Sequence, residues 1–203
     1  QAGDVKYKDL TGEGEVTPGA STLENHGDLK RIGNNSPRYR VGLNLDAAWK
    51  GIDFSIFFQG VLKRDWMFDA GDPYFWGAGS GMWQAACFEE HMDYWTPENT
   101  DAYYPKPYFN ETKNQQAQDA YMQKASYLRC KNIQLGYTLP THITEKAGIS
   151  NCRIYLSCDN LFTITGLSSV YDPEVFGSYD GYGTSGKTYP LQRTISVGVN
   201  LNF

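Results

Sequence analysis

The sequence has no uninterrupted apolar stretch of about 20 residues, which excludes a membrane-spanning helix. It has no basic run, and a net charge of −5 leaves no electrostatic footprint for nucleic acid or for anionic lipid. Its four cysteines, Cys87, Cys130, Cys152 and Cys158, form no CxxC pair and no Cys/His cluster, which argues against zinc. His26, His91 and His142 are scattered, and no Ser/His/Asp spacing or phosphate loop stands out. No catalytic residue is assigned, and the chain is not expected to be an enzyme. No signal peptide opens it; Gln1-Ala2-Gly3-Asp4 reads as the middle of a longer protein.

What is abundant suits strands, tight turns and long loops. Aromatics make up 15% of residues, with 15 Tyr, and there are 21 Gly. The mean hydropathy of −0.53 would describe a soluble protein. That inference is unsafe, because a transmembrane barrel hides its apolar face in alternate residues.

Five segments alternate in that way. Over Arg38 to Trp49 one face holds Tyr39, Val41, Leu43, Leu45, Ala47 and Trp49, and the other holds Arg38, Arg40, Gly42, Asn44, Asp46 and Ala48. Lys50-Gly51 makes a turn into a second strand with Ile52, Phe54, Ile56 and Phe58 on one face. Phe57 breaks the polar parity there. A third strand, near Tyr127 to Leu139, puts Ile133, Leu135, Tyr137 and Leu139 together. Arg129 and Lys131 share that parity, so either they sit above the apolar zone or a bulge shifts the register. Pro140 ends this strand, and Thr141 to Asn151 has room for one helical turn closed by Gly148. A fourth strand, Arg153 to Thr163, aligns Ile154, Leu156 and Cys158. By parity Cys130 falls on the polar face of its strand and Cys158 on the apolar face, which favours free thiols. The last strand alternates Ile195, Val197, Val199, Leu201 and Phe203 with polar residues.

Short connections at one end and long ones at the other, Asp65 to Ser126 and Gly166 to Leu191, match an outer-membrane barrel. A soluble β-sandwich also alternates, but its strands average about 5–6 residues. These run to about 12, nearer the roughly 9–11 that a tilted membrane strand needs. Tyr39 and Trp49 lie near opposite ends of one apolar face, as interfacial girdle residues would.

Several stretches, in order, resemble the C-terminal region of SusC/RagA-family TonB-linked outer-membrane proteins. They are Gly3-Asp4-Val5-Lys6-Tyr7-Lys8-Asp9, Arg31-Ile32-Gly33-Asn34-Asn35-Ser36-Pro37-Arg38-Tyr39 and Phe57-Phe58-Gln59-Gly60. Ala125-Ser126-Tyr127-Leu128-Arg129 and Lys131-Asn132-Ile133-Gln134-Leu135-Gly136-Tyr137 follow, then Asp159-Asn160-Leu161-Phe162-Thr163 and Tyr171-Asp172-Pro173-Glu174. The set covers nearly the whole chain. The ending resembles the outer-membrane assembly signal, with Ser196, Gly198, Leu201 and Phe203 in the matching positions; an ordinary edge strand is the other reading.

The resemblance implies an all-β fold: about five C-terminal strands of an antiparallel transmembrane barrel of roughly 22 strands with a plugged lumen. Residues 1–36 would form an outside loop, 37–64 a β-hairpin, 65–125 a long outside loop, and 126–203 the last three strands. The plug and TonB box would lie upstream, since five strands alone leave two unpaired edges in an apolar medium.

Asp9, Thr11, Glu13 and Glu15 resemble a calcium loop that family members carry, although Thr11 and Glu13 replace the usual Asn and Asp and position twelve is Ala20. A polar Gly-rich turn is the alternative, and no other cofactor is implied. Trp66, Trp76, Trp83 and Trp95 lie in the long loop among many tyrosines, as flat surfaces for sugar rings or as packing for the loop itself or a partner. Asp172 and Glu174 flank Pro173; two close carboxylates invite a glycosidase reading, but no second site matches them.

The resemblance implies active import of a nutrient, an oligosaccharide or a peptide, across the outer membrane of a Bacteroidetes-type Gram-negative cell. Its partners would be TonB, a SusD-like surface lipoprotein, the outer-membrane assembly machinery and membrane lipid. Arg38, Arg40, Asn44, Asp46, Gln134 and Asn200 would line the channel. A passive porin-like barrel and a soluble β-sandwich carbohydrate-binding module are the alternatives, and the sandwich requires its apolar faces to be covered by protein.

Overall fold

The computed structural model describes residues 1–79, 86–176 and 188–203. They fall into two compact units: residues 1–34, 66–79 and 86–122 form a loop unit, and residues 35–65, 123–176 and 188–203 form a sheet unit.

The sheet is built from β1 (Arg38–Trp49), β2 (Ile52–Lys63), β4 (Gln123–Thr138), β5 (Asn151–Gly166) and β6 (Thr194–Asn202), with the two-residue β3 (Asp65–Trp66) off the main path. The order is β1-β2-β4-β5-β6, and each long strand pairs antiparallel with the next, an up-and-down meander. Trp49 pairs with Ile52 across a two-residue turn. Lys50 and Gly51 both have positive φ, 47° and 84°, the pair of left-handed residues that a type I′ hairpin turn needs. Between β4 and β5 the chain makes one α-helical turn, α1 (Thr141–Thr144), and a short 3₁₀ segment closed by Gly148 at φ 71°.

Register places like with like. One row across the sheet reads Ala47, Phe54, Leu135, Leu156 and Val197. The next reads Leu45, Ile56, Ile133, Cys158 and Ile195. Each strand therefore contributes its apolar alternation to one shared face.

The awkward parity of Arg129 and Lys131 resolves as a bulge. Phe57 pairs with Asn132 but Phe58 with Cys130, so Lys131 is the extra residue in β4. On the other side Asn132 pairs with Asp159 and Cys130 with Phe162, and Asn160 takes a left-handed φ of 51° between them. Two consequences follow. Arg129 turns to the polar face opposite Gln59 and Thr163, and Cys130 joins the apolar face opposite Phe58 and Phe162. The parity expectation for Cys130 is thus corrected: it shares a face with Cys158, and both thiols are free and buried.

The polar face uses glycines as seats. A Cβ on Gly198 would collide with the Tyr155 ring, and one on Gly136 would meet the Asp53 carboxylate and the Arg153 guanidinium. Phe57, the parity breaker of β2, rests its ring beside Gly42 of β1, 3.5 Å from where a Cβ would lie.

The core of the loop unit is aromatic. Phe75 stacks on Phe68 at 4.6 Å and meets Trp76 edge-on at 4.8 Å, and Trp76 meets Tyr121 at 5.0 Å.

Candidate functional site

The first functional surface is the apolar face of the sheet. Leu43, Leu45, Leu135, Leu156, Ile195, Val197 and Val199 are all exposed, Val197 at 74%. Water-facing proteins rarely leave contiguous apolar patches beyond a few hundred Å². A sandwich would lay a second sheet over this face; here these seven aliphatic side chains stay exposed. A row of aliphatic side chains on strands of 9 to 16 residues has the length and chemistry to meet hydrocarbon.

The opposite face is polar and internally bonded. Arg153 forms a two-pronged ion pair with Asp53 and donates to Gln134 Oε1 at 2.8 Å. Asn132 donates to Asp159 at 2.7 Å and to Ser157 at 3.3 Å, and Asn44 donates to Asp46. Such a face is solvated or plugged, not lipid-facing.

Asp172 and Glu174, singled out as a carboxylate pair, form a latch. Arg129 donates to Asp172 Oδ1 at 2.7 Å, to Glu174 Oε2 at 2.9 Å and to Thr163 Oγ1 at 2.8 Å. Lys131 adds a bond to Glu174 at 3.1 Å, and Asp172 Oδ2 accepts the Leu191 N–H at 3.0 Å. Both carboxylates are committed to cations, which leaves no free acid or base for glycoside chemistry. Arg64 stacks over the buried Phe176 ring at 4.7 Å, closing the same segment.

The tryptophans of the long loop differ in setting. Trp76 is buried in the aromatic core, its Nε1–H donating to Asp69 C=O at 3.0 Å, and it reaches the wall of a cleft. Trp95 is half-buried, its ring lying where a side chain on Gly3 would be, beside a hollow shared with Gln1 and Pro97. Trp66 is half-buried in β3, and Trp83 lies outside the described residues. Of the described three, Trp76 lines one cleft and Trp95 another hollow, with Trp66 in neither; the cleft near Trp76 brings in His91, Met92, Tyr94 and Tyr104, which the sequence showed only as dispersed residues.

In the calcium-like loop, Asp9 and Thr11 come together, Thr11 Oγ1 donating to Asp9 at 3.2 Å. Asp9 also accepts the N–H groups of Gly12 at 2.6 Å and Gly14 at 2.8 Å. Glu13 and Glu15 are exposed. Asp28, which the motif did not include, accepts the N–H groups of Leu10 at 2.6 Å, Thr11 at 2.9 Å and Thr17 at 2.7 Å. Asp9 and Asp28 thus each accept backbone N–H groups, and among the described residues no three His, Cys, Asp or Glu side chains cluster as a metal site.

These donors hold Asp28 down to about 2 from an ordinary 3.8, the Thr17 and Thr11 N–H groups contributing most. A depressed folded-state value means the carboxylate stabilises the loop above pH 3.8 and loses that contribution as pH falls through about 2. Amide exchange at Leu10, Thr11 and Thr17 is therefore expected to stay protected at pH 5, weaken below pH 4 and approach the unprotected rate near pH 2. Unchanged protection at pH 2 would show that Asp28 does not hold the loop.

Of the assembly-signal positions, Ser196, Gly198 and Leu201 lie in β6, which among the described residues pairs with β5. Phe203 follows the strand and is exposed.

No family model matches the chain. Over 99% of its length it is similar to TonB-dependent receptor P3 of Formosa agariphila, at 29% identity, and to TonB-dependent receptor P26 of the same organism, at 26%. The matches cover 19% and 20% of those receptors, so the chain spans about a fifth of the length of the curated relatives it matches. Among solved structures, the RagAB peptide importer in its open-open state aligns with a TM-score of 0.61 at 28% identity, over 83% of this chain and 17% of that one. The RagAB peptide transporter aligns at 0.60 and 29% identity, over 83% and 18%. These relatives are named as receptors and importers, none as an enzyme.

Proposed function

We propose that the chain is a barrel-wall portion of a SusC/RagA-type TonB-dependent receptor and serves active import of a nutrient across the outer membrane, driven through TonB. The observation that carries this reading is the apolar face shared by five long strands, with aliphatic side chains exposed on β1, β4, β5 and β6, backed by a bonded polar face. The apolar side would meet lipid and the polar side the lumen. A SusD-like lipoprotein on the cell surface would deliver cargo. An oligosaccharide or a peptide is the proposed cargo class; the RagAB comparison, whose structure is named a peptide importer, supports the second.

The native full-length protein is expected in the detergent-extracted, heat-modifiable outer-membrane fraction. Cells lacking it should lose uptake of one oligosaccharide or peptide source. In wild-type cells an uncoupler of the inner-membrane proton gradient should abolish the same uptake. Uptake that survives the uncoupler would favour a passive pore, and recovery in the soluble fraction would overturn the barrel.

A further inference from the structure

By its length the connection between β5 and β6 reads as a free outside loop. Its described part does not leave the sheet. On the turn side of the β4 bulge, each bond on the polar face joins one strand to another: Arg153 to Asp53 and Gln134, and Asn132 to Asp159 and Ser157. On the loop side the bonds reach a second layer. Arg129 shares a register row with Gln59 and Thr163, on the polar face. It donates to Asp172 at 2.7 Å and to Glu174 at 2.9 Å, which places both carboxylates over that face.

Both legs of the connection are tied down. On the outgoing leg the Leu167 N–H donates to Thr165 Oγ1 at 3.2 Å, and the Tyr171 N–H donates to Ser168 C=O at 3.1 Å. Asp172 then organises a turn around Pro173, whose ring fixes φ. Its C=O accepts the N–H groups of Val175 at 3.2 Å and Phe176 at 3.0 Å, and its Oδ1 accepts the Glu174 N–H at 2.9 Å. Leu167, Tyr171 and Phe176 are all buried, Phe176 at 2% exposure. On the return leg the Leu191 N–H donates to Asp172 Oδ2 at 3.0 Å, and Gln192 C=O accepts from Asn160 Nδ2 at 3.0 Å. In the sheet, Val61 and Tyr127 pair in the row next to Arg129 and are buried too. Segments that open easily have few buried contacts and exposed hydrogen bonds, the opposite of this one.

We propose that residues 167–176 form a fixed inner layer of the barrel wall, a permanent constriction on the lumen side and not a lid that swings as cargo passes. That the layer faces the lumen rests on the import reading; that it is fixed does not. Packed layers lie about 10 Å apart, so the passage beside β4 and β5 is narrower by about that depth on the loop side of the bulge. Swinging the leg outward would strip Arg129 of both carboxylates and bring the Tyr171 and Phe176 rings into water.

Hydrogen exchange of the purified full-length protein in detergent is the first test. The amides of Glu174, Phe176 and Leu191 are expected to exchange about a hundredfold or more slowly than an unstructured peptide, in the range of the β5 amides. The second test pins the layer to the wall. Lys131 Nζ and Glu174 Oε1 lie 3.1 Å apart with side chains 24% and 21% exposed, so Lys131→Cys combined with Glu174→Cys sets two reachable thiols across the seam. The Arg129–Asp172 pair stays in place. Bis-maleimidoethane added to cells should bridge the thiols, as read by mass spectrometry of the digested protein. Uptake of the nutrient that cells lacking the protein fail to import should stay within about twofold of equally treated wild-type cells. Exchange at the free-peptide rate, no bridge, or a bridge that stops uptake while treated single variants still import would overturn the proposal. If wild-type cells import nothing, the import reading fails, while exchange and bridging still decide whether the layer is fixed.

Discussion

Replacing Arg129 by Met is expected to destabilise the folded sheet by about 3–5 kcal/mol, the scale of removing one partner from a buried ion pair. The side chains of Arg129 and Asp172 are 4% and 6% exposed, and Arg129 makes three bonds to Asp172, Glu174 and Thr163. Met retains most of the volume, so the loss reports the charge and not a cavity. It leaves two carboxylates facing each other, with Lys131, bonded to Glu174, as the remaining cation paired with them among the described residues. Urea unfolding in lipid vesicles measures the loss. Adding Asp172→Asn and Glu174→Gln to Arg129→Met should recover part of it, because neutral amides tolerate burial without a cation. A loss under about 1 kcal/mol would mean that the cluster behaves as a screened surface network.

The second large effect is expected on the apolar face. Leu156 lies mid-strand between Leu135 and Val197. Leu156→Arg should cost about 2–4 kcal/mol if the face meets the hydrocarbon midplane, and markedly less near its ends. Ser55→Arg, on the opposite face between Asp46 and Gln134, should cost a small fraction of that. The same unfolding assay reads both. Equal costs for the two faces would sink the assignment of lipid to one side and lumen to the other.

Much of the sheet could be read from the residues because a one-residue error would turn every side chain over. Ile195 to Leu201 alternate throughout and Leu43 to Trp49 do so except at Ala48, and their apolar residues sit on one face as expected. The bulge was the hard case. Arg129 and Lys131 signalled a conflict, but parity alone does not distinguish an extra residue from a charge lifted above the apolar zone. That one residue also decided Cys130, which moved to the apolar face, and Arg129, which moved to the polar one. The latch was half-visible: Asp172 and Glu174 stood out, but their cation lies 43 residues upstream for the Asp172 bond and only the bulge aims it there. The loop unit was least legible. Its tryptophans announce aromatic chemistry, yet Trp76 serves the core while His91, isolated in sequence, takes the cleft wall. Loop packing has no period to read, so only the folded chain assembles that site.

The glycine seats bear on how the strands find one another. Alternation forbids slips of one residue but is blind to slips of two, which keep apolar and polar faces intact. A two-residue slip of β6 would bring Ser196 or Asn200 under the Tyr155 ring in place of Gly198, and a slip of β4 against β2 would bring Gln134 or Thr138 against Asp53 in place of Gly136. Each alternative puts a side chain where the ring or the ion pair must lie. Hydrophobic patterning thus sets the phase of the strands, while Gly136 and Gly198 count the absolute step, as a key's notches admit one depth of insertion.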